Sequence, residues 1–414
     1  MISTLQVIRR FAFREWGGTE TVVWNTSQEL QRLGNNVEII STQALAETKA
    51  EIREDISIRR FPYIYPYLNL TKTKKEALDK KGGDPYSWSL YNYMLKKENL
   101  DIIHCHTMNR IAASVRLAAK KRKIPYLVSF HGGHFDVPAR EMELMIQPYK
   151  HTFNYGKLID ILVSKERYLT DADAIICVGY NEYEITKDKY PQKLVYYLPN
   201  GVDIDKFKPL TKNDFRKKYQ IPGDEKMILC LSRIDYQKNQ AILIDLIERL
   251  KGRGERANLV LLGPVTSTQY LAELNRLIMM KSLEQQVTII PGLQADNADL
   301  MKAYQAADVF ILPSIHEPFG IVVLEAWASG VPVIASKVGG LQSLVQSGRN
   351  GLAFDGSLAE LERNYLELIH NDRLREELIL NAGAEVKAEY SWRSVTEKLM
   401  AYYSEIKDKC RICQ

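Results

Sequence analysis

The 414-residue chain has no run of about 18 or more apolar residues, so nothing in it reads as a membrane span. Cysteine is scarce: Cys105, Cys177, Cys230, Cys410 and Cys413 make an odd set without the spacing of a disulfide framework. Three of the five lie in apolar, strand-like runs, where a thiol packs as a small hydrophobe. A surplus of charge is missing too. The 56 Lys and Arg against 51 Asp and Glu leave a net +5, which permits attraction to anionic substrates or a membrane surface without calling for nucleic acid. Paired zinc-type motifs are absent: Cys410-x-x-Cys413 stands alone, and His104-Cys105-His106 has no third ligand near it in sequence, so no metal site is expected. The N-terminus puts its apolar residues ahead of Arg9-Arg10, the reverse of a secretory signal. A cytoplasmic location without an N-terminal anchor is therefore the expectation. With 45% hydrophobic and 26% charged residues, disorder and collagen-like repetition are also excluded.

What the chain does have is alternation. Short runs rich in Val, Ile and Leu (Leu5–Arg10, Asn36–Thr42, Ile102–His106, Pro125–Phe130, Ala174–Val178, Lys193–Leu198) are separated by helical patterns. A second series occupies Met227–Leu231, Leu259–Gly263, Val287–Ile290, Val309–Leu312, Val331–Ala335 and Leu352–Phe354. Runs without polar alternation suit parallel strands covered on both faces. The expected class is therefore α/β, with two doubly wound parallel-sheet domains over residues 1–200 and 201–390, their seam near Pro199–Leu210. The sequence from 391 to 414 reads as a helix that the second domain does not need, and it is expected to return to the first. Thr71–Asp84, with Lys72, Lys74, Lys75, Lys80 and Lys81 before Gly82-Gly83, reads as a mobile basic loop; His134–Thr170 reads as a mostly helical insertion.

The most informative stretch runs from Pro313 to Pro332. Gly320–Ser329 reads as an apolar helix, buried nearly all round and ended by Gly330. Glu325 is its one charge, and a carboxylate there costs several kcal/mol, on the order of other buried charges, unless something satisfies it. A structural Lys or Arg would do so, as would a ligand rich in hydroxyls. Glu317, with seven residues between it and Glu325, lies in a loop where Phe319, Gly320 and Ile321 should offer free N–H groups. Phosphates for the amides and sugar hydroxyls for the carboxylates fit such a terminus. Upstream, Arg233 and Lys238 come after the second domain's first strand, where two cations could clamp a diphosphate or simply lie on the surface. In the first domain Gly17-Gly18 opens a helix after the first strand, allowing a ligand close to the backbone or making a plain turn; Gly-x-Gly-x-x-Gly and the P-loop pattern are both missing. His131 ends another strand there and is either a donor to a phosphate or sugar oxygen or a capped loop residue.

Together these residues resemble the retaining glycosyltransferases of family 4. Glu317 and Glu325 fit that family's Glu-x7-Glu motif, supported by Glu317-Pro318-Phe319-Gly320 and Glu325-Ala326; Arg233 and Lys238 fall at its diphosphate-binding cations. Gly17-Gly18, His131, Asn200-Gly201-Val202-Asp203 and Gly339-Gly340 align as well, and the likeness is strongest from about Pro199 to Leu352. The resemblance implies a GT-B architecture of two Rossmann-like domains facing across a cleft. It implies a nucleoside diphosphate sugar, UDP- or GDP-linked, held mainly by the C-terminal domain, and a sugar or lipid-linked acceptor received by the N-terminal one. Glu325 would then accept from the ribose hydroxyls. Glu317 and the amides of Phe319, Gly320 and Ile321 would hold the donor sugar. Arg233 and Lys238 would stabilise the leaving diphosphate, with Gly17-Gly18 approaching it and His131 near the reacting carbon. No cofactor and no metal are implied, only retaining transfer in the synthesis of a polysaccharide, glycolipid or other glycoconjugate. The basic stretch Lys72–Lys81 and the insertion at His134–Thr170, with its Met and Leu residues, read either as a seat for a lipid-linked sugar in peripheral contact with the inner face of a membrane or as an ordinary helical pair with solvated lysines. Two positions depart from the family: Ser232 stands where Gly is frequent, and Ser343 where an acid is usual. The alternatives are a glucan transferase resembling starch or glycogen synthases, and an inactive relative that only binds nucleotide sugars. A nicotinamide-dependent oxidoreductase is disfavoured by the missing dinucleotide fingerprint.

Overall fold

The computed structural model describes residues 1–14, 16–132, 152–208, 214–292 and 298–412. The chain divides into two compact units, one of residues 1–199 with 395–414, the other of residues 200–394.

The first unit is built on a sheet of order β3-β4-β2-β1-β5-β6-β7-β8. Its strands are β1 (Ser3–Arg10), β2 (Asn36–Thr42), β3 (Ala50–Arg53), β4 (Ile56–Phe61), β5 (Ile102–Cys105), β6 (Tyr126–Phe130), β7 (Ala174–Cys177) and β8 (Leu194–Tyr197). All neighbours run parallel except the β3–β4 hairpin. The sequence pattern does not announce that hairpin, because Ala50–Arg53 is short and polar. Its tight turn uses Glu54 and Asp55, both at positive φ, instead of the usual Asn-Gly or Asp-Gly pair. The helix Trp392–Ile412 begins in the second unit and crosses to the first. There Val395, Leu399, Tyr403 and Ile406 are buried with Leu30, Ile102, Leu127, Ile176 and Leu198.

The second unit has a sheet of order β11-β10-β9-β12-β13-β14. Its strands are β9 (Lys226–Leu231), β10 (Ala257–Gly263), β11 (Val287–Pro291), β12 (Val309–Leu312), β13 (Val333–Ser336) and β14 (Leu352–Phe354), all parallel and, apart from the partly open edge strand β11, buried on both faces. In each sheet the strand order reverses once among these parallel strands, between β1 and β5 and between β9 and β12. Ligands of doubly wound folds bind at the carboxyl ends of strands beside such a reversal.

The Thr71–Asp84 expectation is corrected. Lys72–Lys80 is a helix, started by Thr71 accepting from the Lys74 N–H at 3.3 Å and anchored by buried Leu78 and Asp79. Its lysines hid the pattern, because only two positions in nine turn inward. Of the insertion expected at His134–Thr170, residues 134–151 lie outside the described residues; the remainder of that span includes the helices Gly156–Leu162 and Arg167–Thr170.

Candidate functional site

At the β9/β12 reversal two loops meet. After β9 the chain runs through Ser232-Arg233-Ile234-Asp235 into a 3-10 turn, Tyr236–Lys238, whose start Asp235 fixes by accepting from the Gln237 N–H at 3.0 Å. After β12 it runs through Pro313–Phe319 to the helix Ile321–Ala328. The Ile315 N–H donates to the Gln237 carbonyl at 2.8 Å and ties the loops together. Lys238 is buried and reaches across to Glu317, Nζ to Oε2 2.6 Å. Arg233 is steadied by Gln237 Oε1 at 2.9 Å and Asp235 Oδ2 at 3.3 Å, yet its side chain keeps 40% exposure, so the guanidinium still presents donors outward. The structure thus brings Arg233, Lys238 and Glu317 together. The direct pairing of Lys238 with Glu317 is new, since the sequence suggested a separate partner for each.

Two glycines shape the Glu317 loop. Gly320 precedes the helix at φ +96°, and a Cβ there would lie 2.6 Å from Leu341 Cδ2. Gly339, at φ +47°, would place a Cβ 2.4 Å from the Glu317 carbonyl oxygen, and the next N–H, from Gly340, donates to that same oxygen at 2.8 Å. A side chain at Gly339 would push the Glu317 backbone aside, and one at Gly320 would press on the Leu341 side chain. Ser343, in the place where the family usually has an acid, donates from Oγ to the Gly340 carbonyl at 3.0 Å and braces this loop.

The helix Ile321–Ala328 corrects a second expectation. It is not buried all round: Val323, Leu324, Ala326 and Trp327 are buried, whereas Ile321, Val322, Glu325 and Ala328 form a half-open stripe. Glu325 sits on that stripe. Among the described residues neither Lys nor Arg bonds to it; the Tyr304 hydroxyl donates to its Oε2 at 2.7 Å. Burial raises the carboxyl pKa, while the Tyr304 hydrogen bond and the charge of Lys206 pull it back. The helix start has no side-chain cap, so the first-turn amides of Ile321 and its neighbours are available to a ligand.

In the first unit, Gly17 and Gly18 open the helix Gly18–Arg32 after β1, again without a side-chain cap. A Cβ on Gly18 would meet nothing within 4 Å. Behind them lies a buried polar chain that local sequence patterns do not reveal. Gln6 Nε2 donates to Thr4 Oγ1 at 3.2 Å and to the Tyr403 hydroxyl at 3.1 Å, and its Oε1 accepts from His106 Nε2 at 2.7 Å. His106 therefore carries its proton on Nε2 and accepts at Nδ1 from His131 Nε2, 2.9 Å away. His131 Nδ1 is left as a buried lone pair with no partner among the described residues. His104 Nδ1 is hydrogen-bonded to the Tyr403 hydroxyl at 2.7 Å, and its Nε2 to Ser129 Oγ at 2.6 Å. Burial holds His131 at a pKa of about 4 and keeps His104 and His106 well below the ordinary range, so all three are neutral at pH 7. His104 and His106 are thus accounted for by protein partners, and among the described residues no group of three His, Cys, Asp or Glu side chains is arranged to hold a metal ion.

Known proteins share this arrangement of the chain. The family model for glycosyl transferases group 1 matches residues 211–384, and that for Glycosyltransferase Family 4 matches residues 16–206. An uncharacterized glycosyltransferase of Methanocaldococcus jannaschii is 27% identical over 397 residues, 94% of each chain. A GDP-mannose-dependent alpha-(1-6)-phosphatidylinositol monomannoside mannosyltransferase of Mycobacterium tuberculosis is 33% identical over 219 residues, 50% of this chain and 55% of that one. Among solved structures, Anabaena HepE in complex with UDP superimposes with a TM-score of 0.70 at 18% identity, over 98% of this chain and 100% of the other. With both halves of the chain matched in order, the protein belongs to the family-4 glycosyltransferases, enzymes of GT-B architecture that use nucleotide-sugar donors.

Proposed function

We propose that the protein is a retaining, metal-independent glycosyltransferase that moves a sugar from a UDP- or GDP-sugar to a sugar or lipid-linked acceptor, in the synthesis of a polysaccharide, glycolipid or other glycoconjugate. The observation that carries this reading is the cluster at the β9/β12 reversal: an outward guanidinium, a buried Lys238–Glu317 pair, an uncapped helix start and Glu325 on that helix's half-open stripe. UDP in the structurally similar HepE and GDP-mannose in the mycobacterial relative support this choice of donors.

In the proposed reaction the bond from the anomeric carbon to the diphosphate oxygen breaks first. Arg233 as a fork and Lys238 as a point charge hold the charge that builds on the leaving group, the part a divalent ion could otherwise play. The acceptor oxygen then bonds to the same face of the carbon, and its proton passes to a diphosphate oxygen. Glu317, already engaged by Lys238, is a weak nucleophile and a good acceptor for donor-sugar hydroxyls, beside the amides of Phe319, Gly320 and Ile321. Glu325, oriented by Tyr304, accepts from the ribose diol. For the first unit the proposal assigns Gly17-Gly18 a donor phosphate and His131 a donor hydroxyl, which the lone pair on Nδ1 would accept.

Melting curves against a panel of UDP-, GDP- and ADP-sugars identify the donor, because a bound ligand raises Tm by mass action. Glu325→Ala is expected to melt as the wild type and to lose both that shift and transfer of radiolabelled sugar. Normal turnover in this variant, or a product of inverted anomeric configuration by NMR, would sink the proposal.

A further inference from the structure

The buried polar row of the first unit is closed at one end and open at the other. Gln6 lies on β1, His104 and His106 at the end of β5, and His131 directly after β6, so the row crosses three neighbouring strands. His104 is bonded through both ring nitrogens, to Tyr403 and Ser129, and His106 through both, to Gln6 and His131. His131 is bonded at Nε2 alone, and its buried Nδ1 has no partner among the described residues. A row that served packing only would close on itself, because a buried polar atom left unsatisfied costs about 1–3 kcal/mol.

The closed end sets the order of protons. Thr4 and Gln6 are buried, so their polar atoms must find partners in the protein. The Thr4 hydroxyl gives its one proton to the Asn36 carbonyl at 3.5 Å and can therefore only accept from Gln6. That turns the Gln6 amide nitrogen toward Thr4 and Tyr403, and its Oε1 toward His106 Nε2 at 2.7 Å. The remaining bond follows. With its proton on Nε2, His106 accepts at Nδ1 from His131 Nε2, and a neutral His131 is left with its lone pair on Nδ1. Burial holds His131 at a pKa of about 4, which keeps the ring neutral at pH 7.

We propose that Gln6 and His106 are positioning residues that fix His131 as a hydrogen-bond acceptor, so that the donor sugar must present a hydroxyl proton to Nδ1; this rests on the contact between His131 and a donor hydroxyl proposed for the first unit. The chemistry selected at that point of the sugar is a free hydroxyl. A deoxy carbon, an ether oxygen or a fluorine has no proton to give, and each leaves Nδ1 unsatisfied, the circumstance in which a polar site rejects an analogue. With the reverse order of protons His131 would donate, and a fluorine or ether oxygen would stand in part for the hydroxyl.

The test uses the full chain, labelled with 15N in its histidines and free of ligand. The NMR signals that His131→Phe removes should belong to a ring protonated on Nε2 and bare on Nδ1. Gln6→Met, which has no amide, should mix or reverse the two tautomers, whereas Gln6→Glu, which still offers His106 an acceptor, should retain the order. A proton on Nδ1 in the wild type overturns the proposal whether or not a variant folds, and so does the wild-type tautomer in a folded Gln6→Met. UDP-glucose or GDP-mannose, whichever raises Tm more, is then compared by calorimetry with its monodeoxy and monofluoro analogues. One deoxy position should bind about tenfold or more weakly, its fluoro counterpart no better, and His131→Phe should erase that difference. Recovery by the fluorine overturns the proposal. If the tautomer is as expected but His131→Phe erases no difference, the contact between His131 and the sugar falls and the proposal with it. If a difference is erased while the proton sits on Nδ1, the contact stands and only the proposal falls.

Discussion

The two strand-order reversals of this protein solve the same geometric problem with different chemistry. Beside β9 and β12 the side chains are charged: Arg233 stays partly open, and Lys238 and Glu317 neutralise each other at 2.6 Å. Beside β1 and β5 a neutral hydrogen-bonded row, His131, His106 and Gln6, accompanies an uncapped glycine pair and a single largely buried ion pair, Arg10 to Glu20 at 3.1 Å. A charged cluster suits a centre where charge changes during reaction, whereas a neutral row with fixed tautomers suits a centre that orients. The two reversals thus differ in protonation state as well as in motif.

The largest expected effect separates function from stability in the charged centre. Lys238→Ala should lower kcat by about a hundred- to a thousandfold, as loss of one transition-state donor does. It should also destabilise the second unit, because Glu317 is left buried without its partner. Lys238→Ala combined with Glu317→Ala should regain much of the Tm and none of the transfer. If the pair of changes restored activity as well, the ion pair would be structural only.

A middle-sized effect sharpens the neutral centre. Because the folded pKa values of His104, His106 and His131 lie below the ordinary value of 6.5, the unfolded chain binds more protons as pH falls through that value. The three histidines therefore contribute full stability above about pH 6.5, and that contribution declines as pH falls toward about 4. Melting curves from pH 8 to pH 4 should show this slope, and His106→Gln should flatten it. Tyr403→Phe should cost about 1–3 kcal/mol, the order expected when buried polar groups such as Gln6 Nε2 and His104 Nδ1 lose a hydrogen-bond partner. Equal acid sensitivity in wild type and His106→Gln would remove the neutral row from the comparison.

The smallest effect concerns Ser232. Its Oγ accepts from Gln240 Nε2 at 3.0 Å, and the same amide also donates to the Arg233 carbonyl at 2.8 Å. Ser232→Gly should therefore change stability by no more than about 1 kcal/mol and leave kcat/KM within about threefold. A larger loss of activity would show that Arg233 depends on this brace.

The charged centre is far more legible in the sequence than the neutral one. Arg233, Lys238, Glu317 and Glu325 stand out because they match a family motif in order; residue type and spacing alone leave surface cations and a structural partner for Glu325 open. Legibility fails where contacts are distant or patterns unusual. Tyr403 lies 299 residues from His104, so no local spacing could link them. Tyr304, 21 residues before Glu325, looks like one more core aromatic. The helix Lys72–Lys80 is concealed by its lysines, whereas Gly156–Leu162 falls in the span read as helical and only its outward-pointing apolar face goes against the usual pattern.

The crossing of Trp392–Ile412 between the units sets an order on biogenesis. During vectorial synthesis the first sheet leaves the ribosome early, but the surface made by Leu30, Ile102, Leu127, Ile176 and Leu198 waits for Val395, Leu399, Tyr403 and Ile406, which are translated only after the whole second sheet. For that interval the nascent chain carries an uncovered greasy face, the kind of surface that chaperones guard. A nonsense mutation just ahead of Val395 would accordingly injure the half of the protein that was made first.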